Sequence, residues 1–398
     1  MANVLLAWEL GLNRGHINQL LELARQLTDR GHRVALCLKE RPDDLANLPW
    51  PVYQTPLPDQ SELPVMDTPM LNFGGMLKYR GYENTDLLGR MIGRWLELYR
   101  ETGADRVVAD HAPTALLASH IAGLPAFPLG VGFHNPPDTR PMPAFRWWMP
   151  SPPRVRLREA ERCVLDSVNA VAARHGAAPF EQLSALLRGQ TRLLRTIPEL
   201  DDYNERPNDE RFFGFPLGRG NGHWPGWPKG TGPRILGYLQ ASYPGVNEVL
   251  TTLGRLNVRA VFYIGGGATA EQRRRWQTER LHISDKPLDL AIGSLECDLG
   301  LNYASNAFVA QMMWAGKPLL MMPPLELHLM QAKRIEHHGA GALIDPRWPP
   351  ERLQQAIDNL YWEDRYRKAA THLQERLRAW PDRETIVSQM VDVIEKEG

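Results

Sequence analysis

The sequence predicts an α/β protein of two Rossmann-like domains, each a doubly wound parallel sheet, facing a cleft. Three observations carry this expectation. Residues 3–40 read as a buried strand, a glycine-punctuated turn, an amphipathic helix and a second strand. Short apolar runs then alternate with helical stretches through both halves, the pattern of βα units around a parallel sheet. The 398 residues also exceed one core of ordinary size, and a stretch rich in Pro and Gly lies near the middle.

The elements follow in order. The first apolar run is residues 4–8. The helix after it sets Ile17, Leu20, Leu21, Ala24 and Leu27 on one stripe of helical period, a face for packing. Residues 104–110 read as a strand ending in Asp110, 112–122 as a helix and 125–129 as a strand. The prolines of residues 130–153 exclude a regular helix or central strand, and the pair Trp147-Trp148 argues for an ordered, functional loop. Helices are expected over 154–194. Strands at 234–239, 260–264, 297–301 and 318–322 mark a second series, and residues 350–396 have a helical pattern. The expected division is a domain over 1–197, a linker over 198–233, a domain over 234–380 and a terminal segment over 381–398.

Lys plus Arg and Asp plus Glu both number 46, so charge gives no reason to expect nucleic acid or an anionic membrane as partner. Cys37, Cys163 and Cys297 lie far apart, with neither metal-ligand spacing nor a disulfide framework. The first apolar run lacks a basic flank and is too short for a signal peptide or a membrane span. These features predict a cytoplasmic protein.

His16 opens the first helix, above the end of a parallel strand, where ligands of open α/β sheets bind. A neutral imidazole there accepts a proton near neutral pH. As a lone residue it equally fits a helix-terminal cap. Asp110 fits either an orienter of that imidazole or a cap for the helix starting near 112. His111 is expected to point away from Asp110 if the strand continues. The glycines of the loop 11–15 let backbone approach a ligand, but the dinucleotide spacing G-x-G-x-x-G is absent.

Two stretches resemble the family 1 glycosyltransferases of GT-B fold. The first is Gly15-His16-Ile17-Asn18, followed by a helix and Arg30-Gly31-His32-Arg33-Val34. The second runs through Cys297-Asp298-Leu299, Ala315-Gly316-Lys317-Pro318-Leu319-Leu320, Pro323-Pro324 and Gly339-Ala340-Gly341. The resemblance implies an inverting sugar transfer from a UDP- or TDP-linked sugar, as co-substrate, to a hydroxyl of a small-molecule acceptor, without metal or resident cofactor. The acceptor would bind the N-terminal domain and the donor the C-terminal one, with the last helix crossing back. His16 would be the catalytic base and Asp110 its orienter. Arg14 and Gly15 would help bind the donor, and Leu288 would lie in the loop against the nucleobase.

The same resemblance places the donor diphosphate on Tyr303-Ala304-Ser305-Asn306-Ala307-Phe308, with Gln311 and His328 at the ribose and sugar positions. Several of these depart from the family pattern. Tyr303 stands for a histidine, Ser305 and Ala307 for glycines, Phe308 for a hydroxyl residue and Gln311 for a glutamate. The family's acidic residue and glutamine correspond to Leu327 and His328, with Glu326 nearby. The helix N–H groups survive these replacements. Phe133, His134, Phe145, Trp147 and Trp148 offer rigid aromatic area for the acceptor. The departures equally fit a GT-B-like protein that binds without turnover, or an enzyme with an altered donor.

Overall fold

Unbroken apolar runs become strands buried on both faces of a parallel sheet. The computed structural model describes residues 1–11, 14–41, 47–66, 68–207, 210–215, 217, 220 and 222–398, with Arg14 described by its backbone only. Strands β1 (Asn3–Trp8), β2 (Arg33–Leu38), β3 (Val52–Gln54), β4 (Arg106–Asp110), β5 (Ala126–Gly130) and β6 (Leu193–Leu194) form one sheet in the order β3-β2-β1-β4-β5-β6. Every pairing in it is parallel. The helices α1 (Arg14–Asp29), α2 (Phe73–Leu77), α3 (Thr85–Thr102), α4 (Pro113–Ala122), α5 (Arg154–Arg174) and α6 (Leu183–Leu186) belong to the same unit.

The second sheet repeats the topology. It contains β7 (Arg234–Gln240), β8 (Arg259–Gly265), β9 (Leu281–Ser284), β10 (Leu299–Asn302), β11 (Leu319–Met321) and β12 (Gly341–Leu343), ordered β12-β11-β10-β7-β8-β9. Its helices are α7 (Val246–Leu253), α8 (Ala270–Trp276), α9 (Leu290–Glu296), α10 (Asn306–Trp314), α11 (Glu326–His337), α12 (Pro350–Trp362) and α13 (Asp364–Arg378). In each sheet the strand order reverses between its first and fourth strands. That reversal opens a crevice at their C-terminal ends. The crevice lies between β1 and β4 in one unit and between β7 and β10 in the other.

One compact unit comprises Met1–Thr196, Tyr203–Gly214 and Asp382–Gly398, and the other Ile197–Asp202 and Phe215–Pro381. The last helix, α14 (Arg383–Lys396), therefore belongs to the first unit. Asp382 caps it by accepting from the Thr385 amide at 2.8 Å. Its Ile386, Val387, Met390 and Ile394 share a core with Ile17, Leu20 and Leu27 of α1. Arg30 pairs with Asp392 and Glu395 at 2.5 and 2.8 Å, but partial exposure makes this pair secondary to the apolar seam.

The expected helical stretch 154–194 is shorter in the structure. Helix α5 ends at Arg174, Gly176 follows at φ 72°, and Leu193-Leu194 pairs with β5. The expected strand at 297 begins at Leu299, because Cys297 caps α9 and the Asp298 carboxylate accepts from the Arg234 amide at 2.7 Å. The pattern over 350–396 resolves into three helices, with Pro381 preceding α14.

Glu9, just after β1, is buried against the start of α4. It accepts from the Thr114 amide at 2.9 Å and the Thr114 hydroxyl at 2.7 Å, and from Tyr82. Burial pushes its carboxyl from 4.5 up to about 7, against the pull of these hydrogen bonds. Between those two values the folded chain keeps a proton that the unfolded chain has lost. Stability is thus fullest below pH 4.5 and falls as pH rises toward 7, by about 3 kcal/mol from this group. Glu9→Gln should remove that part of the loss, and urea unfolding of both proteins at pH 5 and pH 8 measures it.

Candidate functional site

In the first unit the parallel register sets Trp8 of β1 beside Asp110 of β4, both at the C-terminal edge of the sheet. After β1 the chain turns through Gly11 at φ 86°, and the first turn of α1 delivers His16. His16 Nδ1 lies 2.9 Å from Asp110 Oδ1. Gln19 donates to the other carboxylate oxygen at 3.4 Å. Asp110 is fully buried, while the His16 side chain keeps 11% of its surface exposed. The Trp8 indole stacks on the imidazole at 5.3 Å. A carboxylate on Nδ1 selects the tautomer with hydrogen on that nitrogen, which leaves Nε2 as the acceptor. Leu12 and Asn13 of the glycine loop lie outside the described residues, as does the side chain of Arg14. Gly15 is exposed at the start of α1.

His111 departs from the sequence expectation. Strand alternation stops at Asp110, and His111 takes φ 47°, which turns its ring toward the same crevice. It stacks on His134 at 4.1 Å, and His134 lies 5.1 Å from the His16 ring. Positive φ at a non-glycine residue costs of order 1–3 kcal/mol and persists only where the surroundings hold it. Two glycines make room for these rings. A Cβ on Gly11 would sit 2.6 Å from His16 Nε2, and one on Gly130 (φ 137°) would sit 2.6 Å from His134 Nδ1. Burial pushes both His111 and His134 well below the ordinary histidine range, so both rings are neutral at pH 7. The feature in the sequence that signals His134 is Gly130-Val131-Gly132, a permissive turn directly after a strand. No comparable signal marks His111, whose direction depends on one backbone torsion.

The aromatic loop contributes unevenly. Phe133 stacks on Phe145 at 5.0 Å and meets His134 and His111 edge-on at 6.0 and 6.3 Å. Phe133, His134 and Phe145 thus form a buried wall adjoining His16. Trp147 and Trp148 form an edge-to-face pair at 5.6 Å and are half-buried.

In the second unit Tyr238 of β7 pairs with Asn302 of β10 at the sheet edge. Asn302 donates to the Tyr238 carbonyl at 2.5 Å and accepts from the Ser305 amide at 2.8 Å. This clamp fixes the turn into α10, in which Ala304 takes φ 64°. Tyr303 packs among Tyr243 at 4.9 Å, His328 at 4.8 Å and Tyr238 at 5.8 Å. Burial holds the Tyr303 phenol above its ordinary value and pushes the His328 imidazole down to about 4. Both are therefore neutral hydrogen-bonding groups at pH 7.

Phe308 belongs to the core, and Gln311 donates to the Ser294 hydroxyl at 3.0 Å. Leu288 is buried, and its backbone bridges to His223. Ser305 and Asn306 are half-buried and Ala307 is exposed, so the first turn of α10 is the part of this motif nearest solvent. Elsewhere in this unit a pocket of about 310 Å³ is lined by Tyr243, Gly245, Asn247, Gln272, Arg275 and Trp276 among others, and Tyr243 is the residue that also touches Tyr303. None of these lining residues carries a sequence motif of its own, and sequence reasoning missed them.

No family model matches the sequence, and no curated protein matches it either. Solved structures do match in fold. A spinosyn rhamnosyltransferase, SpnG, superimposes with TM-score 0.68 at 15% identity, covering 98% of this chain and 100% of that one. The glycosyltransferase SnogD from Streptomyces nogalater gives TM-score 0.67 at 16% identity, with 98% and 99% covered. The glycosyltransferase VinC, solved in complex with dTDP, gives TM-score 0.65 at 17% identity, with 99% and 100% covered. The two parallel six-stranded sheets and these matches establish a GT-B-type α/β fold over essentially the whole chain.

Proposed function

We propose that the chain is an inverting, metal-independent glycosyltransferase. It moves a sugar from a UDP- or TDP-linked donor to a hydroxyl of a small-molecule acceptor. The observation that carries this reading is the 2.9 Å contact between His16 Nδ1 and Asp110 at the strand-order reversal of the first unit. The acceptor hydroxyl gives its proton to His16 Nε2 as its oxygen bonds to the anomeric carbon. The bond from that carbon to the diphosphate oxygen breaks, and the electron pair leaves with the diphosphate. Asp110 holds the tautomer and stabilises the imidazolium that forms. The buried wall of Phe133, His134 and Phe145 receives an apolar acceptor, with Trp147 and Trp148 as its outer part.

The donor is assigned to the second unit. The unpaired N–H groups of the first turn of α10 face the charge that grows on the leaving diphosphate. Ser305 and Asn306 supply side-chain polar groups there, and the small, exposed Ala307 leaves the backbone accessible, while Ala304 is buried. Two of the matched glycosyltransferase structures hold thymidine diphosphate, which supports a nucleotide diphosphate as the ligand class.

A second reading has one observation in its favour. Tyr303, Phe308, Gln311 and His328 are packed inward, so the side chains offered to a donor are fewer than the motif suggests. That arrangement suits a protein that binds without turnover, or an enzyme with an altered donor. A thermal-shift series separates the readings. Under the glycosyltransferase reading, UDP or TDP at about 100 times Kd raises the Tm of the full chain by roughly 3 °C. No shift with any nucleotide or nucleotide sugar would favour the binding protein.

A further inference from the structure

We propose that His16, His111 and His134 form a binding site for one zinc-class divalent ion. The fold's implied chemistry does not call for such a site, and it stands whether or not the chain transfers sugar. The three residues come from three separate places on the first sheet: the first turn of α1, the residue after β4, and the turn after β5. One nitrogen from each lies within 4.8 Å of the others.

Two further observations point to a ligand. His111 and His134 are more than nine-tenths buried, and among the described residues none of their four ring nitrogens has a hydrogen-bond partner. Buried polar atoms are ordinarily paired, and an orphaned group in the interior calls for an explanation. A bound ion supplies one for the coordinating nitrogen of each ring. Second, His16 already carries the arrangement typical of a metal-bound imidazole. Its Nδ1 faces the buried Asp110 carboxylate, which orients the ring, fixes the tautomer and directs Nε2 outward.

The donor set decides the ion class. Three neutral imidazoles with no thiolate suit zinc, and three protein ligands leave a fourth position for water or a hydroxyl. Zinc–imidazole bonds of about 2.0–2.1 Å in a tetrahedral site place ligand nitrogens about 3.3 Å apart. The rings must therefore close by up to about 1.5 Å from their present spacing. Side-chain rotation supplies that closure, and it unstacks His111 from His134. The missing side chains of Gly11 and Gly130 keep the space beside His16 and His134 clear for it.

The consequence concerns the nitrogen the proposed transfer uses. An ion on His16 Nε2 occupies the lone pair that would accept the acceptor's proton. The zinc form is then a switched-off form, and a chelator restores activity.

Binding is tested without donor or acceptor, so that its outcome is independent of the transfer reading. The metal-stripped full chain is titrated with Co²⁺ and followed by its visible ligand-field absorption, with Zn²⁺ as competitor. The expected result is one ion per chain, with the intense bands of four-coordinate cobalt, displaced by one equivalent of zinc. His111→Gln and His134→Gln should each weaken binding by at least about 100-fold while keeping the wild-type circular dichroism. Asp110→Asn should weaken it about 10- to 100-fold. Zinc-edge absorption of the wild-type complex, which needs no variant, should report three imidazoles at about 2.0–2.1 Å. The proposal is overturned if the wild type binds no stoichiometric ion. Unchanged affinity in folded His111 and His134 variants, or an edge spectrum with fewer than three imidazoles, also overturns it.

Discussion

Replacing His16 by Ala should lower kcat by roughly 10²- to 10⁴-fold, the usual worth of general-base assistance. That range corresponds to about 3–5 kcal/mol on the barrier. The loss should fall on kcat, because the proton moves only as the new glycosidic bond forms. Nucleotide affinity, measured by calorimetry, should be nearly unchanged, since the donor is assigned to elements of the second unit. The variant should fold: the His16 side chain is partly exposed, and the core stripe of α1 is carried by Ile17, Leu20, Leu21, Ala24 and Leu27. Wild-type turnover in His16→Ala would remove the base assignment. Equal loss of nucleotide binding would mean that the substitution acts through structure.

Asp110→Asn should be nearly as damaging, with kcat down by roughly 10²- to 10⁴-fold. The substitution keeps the volume of a fully buried side chain, so packing changes little. What changes is the partner offered to His16 Nδ1. A carboxylate only accepts, and therefore holds the hydrogen on Nδ1 and the lone pair on Nε2. An amide can donate to Nδ1 and hold the opposite tautomer, and it adds no negative charge to stabilise the imidazolium. The test is a kcat comparison beside an acceptor KM and a thermal melt. A fall in kcat with KM and Tm close to wild type supports the orienting role. A fall in Tm with kcat preserved would assign Asp110 to structure alone.

The two predictions draw on different amounts of sequence information. His16 is legible because the buried strand, the glycine turn and the amphipathic helix are consecutive, so their order fixes where the helix begins. Asp110 is legible as the end of a strand. Their 2.9 Å contact is not, because 94 residues separate them and only the pairing of β1 with β4 brings them together. The direction of His111 is not legible, for a local reason. Alternation along a strand gives side-chain direction only while the strand continues, and here it ends one residue earlier, with φ 47°. Strands β3, β9 and β12 are too short for their periodicity to register. In the second unit the sequence located the turn into α10 but not the inward packing of Tyr303, which depends on Tyr243 and His328 arriving from other elements.

By itself the sequence determined the alternation of strands and helices, the presence of two such series, and the positions of His16, Asp110 and the α10 turn. These are properties of short windows, in which apolar spacing, glycine and proline act directly on the local backbone. The tertiary structure decided which residues from separate windows meet. It set Asp110 against His16, stacked His111 on His134 beside them, and drew Tyr303, Phe308 and Gln311 into the interior of the second unit. The physical reason is that strand order and register, together with single torsions at the ends of strands, place these side chains, and none of these is encoded in a local pattern of residue types.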